Sequence, residues 1–308
     1  MKTMRAVRPA PDGQGVRLQT VALPQTGPEE VLVELGASAI DPLESLETVS
    51  ERTLGRDFAG VVISDGEWAG KEVWGSGNGF GVDRDGAQAD YVSVPTSWLS
   101  EKPPSLGMGP AAAVGAPFIA AWAALAAARL QPGETVLILG ASTPLGRATA
   151  LLARVRKVKV IGADMVALAP ASDAYIDLRV QGLSAEVRAL TDDQGVEVVI
   201  DTLGGALFSP SLGALARDGR YILLAGQRGA CTSFDLSRFH SHRHRLIAVD
   251  PSQLSGIEIA EILDQLRALF DASLLAPPPS ETWPLDQAPA AYAAAQHGGW
   301  PRHVLTAP

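Results

Sequence analysis

The residues with the clearest chemical potential lie in Thr135–Gly146, which reads TVLILGASTPLG. An apolar run enters a glycine turn at Gly140 and then a helix start. Thr143 suits the N-cap, Pro144 the first helical position, and Gly146 a close approach of helix to strand. Such a turn offers backbone N–H groups and a helix N-terminus to a pyrophosphate, so Gly140, Ser142, Thr143, Leu145 and Gly146 are the expected cofactor contacts. The same residues also suit a capped helix without a ligand. A second element sharpens the reading. Val158–Asp164 reads VKVIGAD, an apolar strand ending on an acid eighteen residues beyond Gly146. That is near the ~20 expected of the carboxylate that grips the adenosine ribose. Its charge opposes a ribose 2′-phosphate, and Met165–Leu168 bring no Arg or Lys, so local chemistry favours NAD(H) over NADP(H). A strand-ending Asp that caps the next turn is the alternative.

These residues must be positioned by strands and helices. From about Pro117 apolar strands alternate with helical patterns: Val136–Leu139, helix Leu145–Arg156, Val158–Gly162, Val196–Asp201, helix Leu207–Ala216 and Arg220–Ala225. This alternation predicts a parallel sheet with helices on both faces. Leu246–Val249 is a candidate last strand. The first third is β-like, with short segments at Val31–Leu35, Ala59–Ile63, Glu72–Trp74 and Ala89–Val94 between Gly, Pro and Asp. A helix at Ile257–Ala272, a Pro-rich loop, a helix near Asp286–Gln296 and a strand near His303–Leu305 follow.

Composition narrows the class. The 308 residues are 46% hydrophobic and 19% charged, as in a folded globular protein of about two domains. A formal charge of −9 opposes a nucleic-acid or anionic-membrane partner. The single cysteine, Cys231, excludes an intramolecular disulfide and a Cys-rich zinc site, and is expected to be a small filler. The N-terminus lacks an apolar signal core, so a cytoplasmic protein is expected. Ala111–Ala128, interrupted by Gly115 and Pro117, reads as a buried helix and not a membrane span. His240, His242 and His244 alternate. On a strand they would share one face, but Arg238, Arg243 and Arg245 oppose a cation, so a surface or dimer-edge strand is expected.

Several further segments carry a family resemblance. Gly55–Val62 resembles the G-x-D-x-x-G-x-V segment of the medium-chain dehydrogenase/reductase superfamily, and Asp85–Pro95 its D-G-x-x-A-E-Y-x-x-x-P strand. Ala120–Leu125 is similar to its T-A-W-x-A-L helix, Gly133–Ile138 to G-E-x-V-L-V, and Gly195–Gly205 to G-V-D-V-V-x-D-x-x-G-G. Order and spacing hold over nearly the whole chain, closest to the zinc-independent quinone oxidoreductases and enoyl reductases. The resemblance implies an α/β protein: a GroES-like β-barrel domain from 1–116 completed by 256–308, and a Rossmann doubly wound parallel sheet at 117–255. The cofactor would lie in the cleft. Where zinc alcohol dehydrogenases carry Cys and His ligands, this chain has Asp41 and Arg56, and arginine stays protonated. No zinc is expected.

By the same resemblance Thr202 borders the cofactor, and Ala225 and Gly226 pass the nicotinamide. For Gly226 an ordinary strand-end turn is the alternative. Asp41 is the candidate catalytic group, although a solvated turn Asp before Pro42 would look alike. The chain departs from the family at Thr143-Pro144, where relatives carry Gly-Gly, and at Asp41, which replaces a common Asn. It is also shorter over Met165–Asp173 and Leu43–Leu54. The expected function is NAD(P)H-dependent reduction of a quinone or α,β-unsaturated carbonyl by a homodimer. The alternative is a non-catalytic nucleotide-binding or interaction member of the same fold. A zinc-free alcohol or sugar dehydrogenase is a third option.

Overall fold

The computed structural model describes residues 2–11, 15–41, 51–77, 79–166, 172–225, 231–296 and 300–307. Strands β1 (Thr3–Pro9) and β2 (Val16–Ala22) form an antiparallel hairpin. Strands β3 (Glu30–Ala39), β4 (Asp57–Val62), β5 (Glu72–Gly75), β6 (Tyr91–Pro95) and β7 (Ser100–Glu101) follow, then helix α1 (Met108–Ala128). Next come β8 (Thr135–Leu139), α2 (Pro144–Val155), β9 (Lys159–Asp164), β10 (Ala174–Asp177), α3 (Leu183–Leu190), β11 (Val196–Asp201) and α4 (Phe208–Leu212). The chain continues through β12 (Leu215–Leu223), α5 (Leu236–Ser241), β13 (Arg245–Ala248), α6 (Gly256–Asp271), β14 (Ser280–Pro284), α7 (Ala288–Ala295) and β15 (Arg302–Thr306).

Two compact units result: Met1–Ala116 with Ser252–Pro308, and Pro117–Pro251. In the first, strands pair in the order β14-β15-β3-β4-β5-β7, and β6 also pairs with β3. All these pairs are antiparallel except β14 with β15. Along β3 the buried Val31, Val33 and Leu35 alternate with less buried neighbours, whereas β4, β5 and β6 bury consecutive residues.

The second unit is a six-stranded sheet in the order β10-β9-β8-β11-β12-β13, parallel throughout. Counted from β8, this is the 3-2-1-4-5-6 order of the doubly wound dinucleotide-binding sheet, whose direction of winding reverses between its first and fourth strands. Strands β8, β9 and β11 are buried along almost their whole length, so they read as continuous apolar runs.

Two local expectations are corrected. The helix expected over Leu207–Ala216 ends at Leu212, because Leu215 already pairs with Val196 as the start of β12. The histidine run does not lie on a strand. Asp235 caps α5 by accepting the Arg238 N–H at 2.9 Å, which places His240 in a helix and His242 at its C-cap. Arg238 and His240 then sit in the last turn, where positive groups suit the helix dipole. Only at Arg245 does the strand begin.

The first unit contains a buried ionic node. Asp57, 2% exposed, accepts from Ser76 Oγ at 2.5 Å, the Ala116 N–H at 2.9 Å and Arg302 Nη1 at 3.1 Å. Arg302 also donates to the carbonyls of Ala113 at 2.8 Å and Ile40 at 3.4 Å. Helix α1 breaks where it meets this carboxylate. Gly115 is non-helical (φ 9°, ψ −125°), Pro117 follows, and a Cβ at Gly115 would overlap the Asp57 carboxyl group. Helix α1 is apolar and long enough to cross a membrane by composition, but 67% of its most apolar window is buried in the fold. Replacing Arg302 with Met leaves Asp57 a buried carboxylate without its counter-charge. The expected loss is about 3–5 kcal/mol, read as an earlier denaturant midpoint for this unit.

Candidate nucleotide site

The turn after β8 is built from local bonds. Gly140 adopts φ 73°, and a Cβ there would overlap the Thr202 hydroxyl. Glycine is therefore required on both counts. Thr143 caps α2: its Oγ1 accepts the Gly146 N–H at 3.0 Å and donates to the Gly140 carbonyl at 2.8 Å. The Arg147 N–H donates to the Thr143 carbonyl at 2.9 Å. Pro144 has no N–H, and a Cβ at Gly146 would overlap the Gly140 carbonyl. In the first turn of α2, Leu145 is left with the one N–H that no described residue accepts. No acidic side chain lies in that turn. A free N–H at the positive end of a helix, in a turn where Gly140 and Gly146 carry no side chain, fits a diphosphate.

Asp164 ends β9 beside this turn and is 7% exposed. Its carboxylate accepts the Ser142 N–H at 3.0 Å, the Ser142 hydroxyl, and the Met165 N–H at 2.7 Å. A carboxylate has about four lone-pair positions, so three are already engaged. The expected ribose-gripping acid thus also braces the phosphate turn. Arg147, whose role no local pattern marks, donates from Nε to the Ser142 carbonyl at 2.9 Å. Burial pushes its guanidinium below the ordinary value, while the charges of Tyr175 and Asp164 oppose that shift. Met165–Leu168 bring no Arg or Lys. Arg147, next to Gly146 in α2, is a cation outside that stretch. Within the shortened segment, residues 167–171 lie outside the described residues.

At the carboxyl end of β11 a second acid organises the neighbouring loop. Asp201 is fully buried and accepts the N–H groups of Leu203 at 2.9 Å and Gly204 at 2.8 Å through Oδ1. Its Oδ2 accepts from the Tyr221 hydroxyl at 2.7 Å. Burial, then the Asp201 charge, push the Tyr221 phenol far above its ordinary value, so it stays a donor. Thr202 donates to the Leu139 carbonyl at 2.8 Å, tying this loop to the end of β8. Asp201 escaped the site reading, though an acid closing an apolar strand was its visible signal.

Gly140, Ser142, Thr143, Leu145, Gly146, Asp164 and Thr202 therefore gather at one end of the parallel sheet. Ala225 is half-buried just after β12, where the Leu224 N–H donates to the Asp201 carbonyl at 2.9 Å; Gly226 lies outside the described residues. Asp41 belongs to the other unit, half-buried after β3, and the preceding Ile40 N–H is held by the His303 carbonyl at 2.9 Å. Arg56 is half-buried just before β4. Among the described residues no three His, Cys, Asp or Glu side chains converge as a metal site. Cys231 is exposed. Removing the Tyr221 hydroxyl (Tyr221→Phe) leaves one buried oxygen of Asp201 unpaired. The expected cost is about 1–3 kcal/mol, measured as a lower thermal midpoint for this unit.

Residues 161–299 match the family model of zinc-binding dehydrogenases. The chain is 32% identical over 285 residues to the zinc-type alcohol dehydrogenase-like protein C337.11 of Schizosaccharomyces pombe, covering 88% of this chain and 86% of that one. It is 31% identical over 269 residues to the phenolphthiocerol synthesis polyketide synthase Pks15/1 of Mycobacterium marinum; the match covers 83% of this chain but 12% of that much longer protein. The crystal structure of JamJ enoyl reductase in its apo form superposes with a TM-score of 0.78 at 22% identity, covering 100% of both chains, and so shares the fold. With the sheet order, the glycine turn and a near full-length relative in agreement, the chain belongs to the medium-chain dehydrogenase/reductase superfamily of NAD(P)-binding oxidoreductases.

Proposed function

We propose that the chain catalyses hydride transfer from NAD(P)H to a quinone or an α,β-unsaturated carbonyl, without zinc, as a cytoplasmic homodimer. The observation that carries the nucleotide part is the Gly140–Gly146 turn beside Asp164 and Thr202, at the winding reversal of the parallel sheet. The Leu145 N–H and the N-terminus of α2 hold the diphosphate. The remaining lone-pair position of Asp164 takes a ribose hydroxyl, and its charge disfavours a 2′-phosphate, so NAD(H) is the preferred cofactor. Thr202, Ala225 and Gly226 border the nicotinamide half.

When bound, the nicotinamide supplies the hydride. The protein supplies position and a donor for the oxygen that gains charge as hydride adds to an enone or quinone. Asp41 is the candidate proton-holding group. Zinc independence rests on donor chemistry, since Asp41 and Arg56 stand where zinc-dependent relatives carry Cys and His, and a guanidinium does not ligate a metal. The enoyl reductase activity in the JamJ name supports the enone class.

A second reading has its own observation. Ser142 occupies three-quarters of the hydrogen-bonding face of Asp164 together with Met165, which favours a weak or silent nucleotide binder. Fluorescence titration with NADH and NADPH, followed by turnover of quinones and enones, separates the two. NADH binding at micromolar levels with turnover supports the enzyme; no binding of either dinucleotide below about 1 mM supports the silent member. Gly140→Ala is expected to abolish dinucleotide binding. Asp164→Asn is expected to raise the NADH Kd about tenfold while changing that for NADPH less. Dialysis against EDTA is expected to leave the rate unchanged; a rate restored only by zinc would refute the zinc-free mechanism.

A further inference from the structure

We propose that Arg147 is a specificity-determining residue at the adenosine end of the nucleotide site: its guanidinium offers a counter-charge to a ribose 2′-phosphate, so the chain binds NADPH as well as the preferred NADH. The proposal rests on the nucleotide reading above and adds a residue to it. Arg147 follows the glycine turn in α2, whereas the acid that opposes a 2′-phosphate ends β9.

Ser142 brings the two together. Asp164 accepts its N–H at 3.0 Å and its hydroxyl, and Arg147 donates from Nε to its carbonyl at 2.9 Å. The width of one residue thus separates carboxylate from guanidinium, and a ligand group held by one feels the charge of the other. Parallel pairing sets Asp177 beside Asp164, and Asp177 accepts from Arg179 Nε at 2.9 Å and Nη2 at 2.6 Å. The ribose end therefore carries arginines as well as acids, although Met165–Leu168 bring none of them.

The two arginines differ. Arg179 is exposed, and Asp177 takes its fork through both oxygens. Arg147 is half-buried, and burial lowers its pKa while Tyr175 and Asp164 oppose the shift. It stays charged all the same, because a guanidinium holds its proton throughout the physiological range. A cation that has lost part of its water gains more from a phosphate dianion than an exposed cation does. The Nε–H of Arg147 serves Ser142, and the Nη edge of a guanidinium is the part that matches phosphate oxygens. Asp164 alone would reject a 2′-phosphate; with Arg147 on the other side of Ser142 the rejection is softened.

The test titrates the full chain with NADH, NADPH, 5′-AMP and 2′,5′-ADP, followed by fluorescence for the dinucleotides and calorimetry for the mononucleotides. The wild-type chain is expected to bind NADPH and 2′,5′-ADP, with affinities that fall faster with salt than those of NADH and 5′-AMP. Arg147→Gln keeps a donor for the Ser142 carbonyl but no charge. It is expected to weaken NADPH and 2′,5′-ADP about tenfold and to leave NADH and 5′-AMP within about twofold. Arg147→Lys keeps the charge and is expected to retain most of the NADPH affinity, which separates loss of charge from loss of fold. The proposal is overturned if the Gln variant weakens both dinucleotides equally, since Arg147 would then act only by holding the turn. It is also overturned if NADH binds and NADPH does not, or if the NADPH affinity ignores the substitution. Failure of the wild-type chain to bind NADH and 5′-AMP as well would overturn the nucleotide reading itself.

Discussion

A carboxylate sealed from water at the end of a central strand imposes its demands on everything nearby. Asp201 is fully buried, so its charge is tolerable only if its oxygens are saturated with donors. Tyr221, Leu203 and Gly204 provide them. Meeting that demand bends the chain sharply after β11 and turns Thr202 toward the Leu139 carbonyl. Thr202 in turn leaves room only for glycine at position 140. The shape of the bare turn after β8 thus depends on a charge in the neighbouring strand as well as on the turn's own residues.

Within that frame the turn is partly self-satisfied. A Gly-Gly pair here would leave more backbone bare, whereas Thr143-Pro144 spends a hydroxyl on the Gly146 N–H and removes another N–H outright. Asp164 and Arg147 then hold Ser142 from two sides, the acid through its N–H and hydroxyl, the guanidinium through its carbonyl. This arrangement is preorganised in the sense that little backbone must move. It also makes a ribose hydroxyl a competitor of Ser142 for the same carboxylate. The balance between those two effects sets how tightly a dinucleotide is held.

The first unit shows the same logic in a different place. Asp57 and Arg302, paired at 3.1 Å, join the start of β4 to the start of β15 and hold α1 where it breaks at Gly115. A buried pair of this kind adds little net stability over an apolar replacement, but it penalises every alternative register that would leave either charge alone.

Local order made much of this molecule legible in the sequence. Short β-like segments between Gly, Pro and Asp mark the antiparallel first unit, apolar strands alternating with helical patterns mark the parallel second one, and the Gly140–Gly146 turn reads from adjacent residues because its bonds join neighbours, as Thr143 does with Gly146. Patterns failed where a cap or a pairing intervened. Asp235 made a helix of the histidine run, and the pairing of Leu215 with Val196 cut short the expected helix before it. The sequence by itself determined the fold class, the glycine turn and the strand-ending acid, since each is written in residues a few positions apart. Tertiary structure alone decided that Tyr221 serves Asp201 and that Arg302 answers Asp57. Those partners lie on different elements, and only the register of strands and the packing of the chain brings them within hydrogen-bond distance.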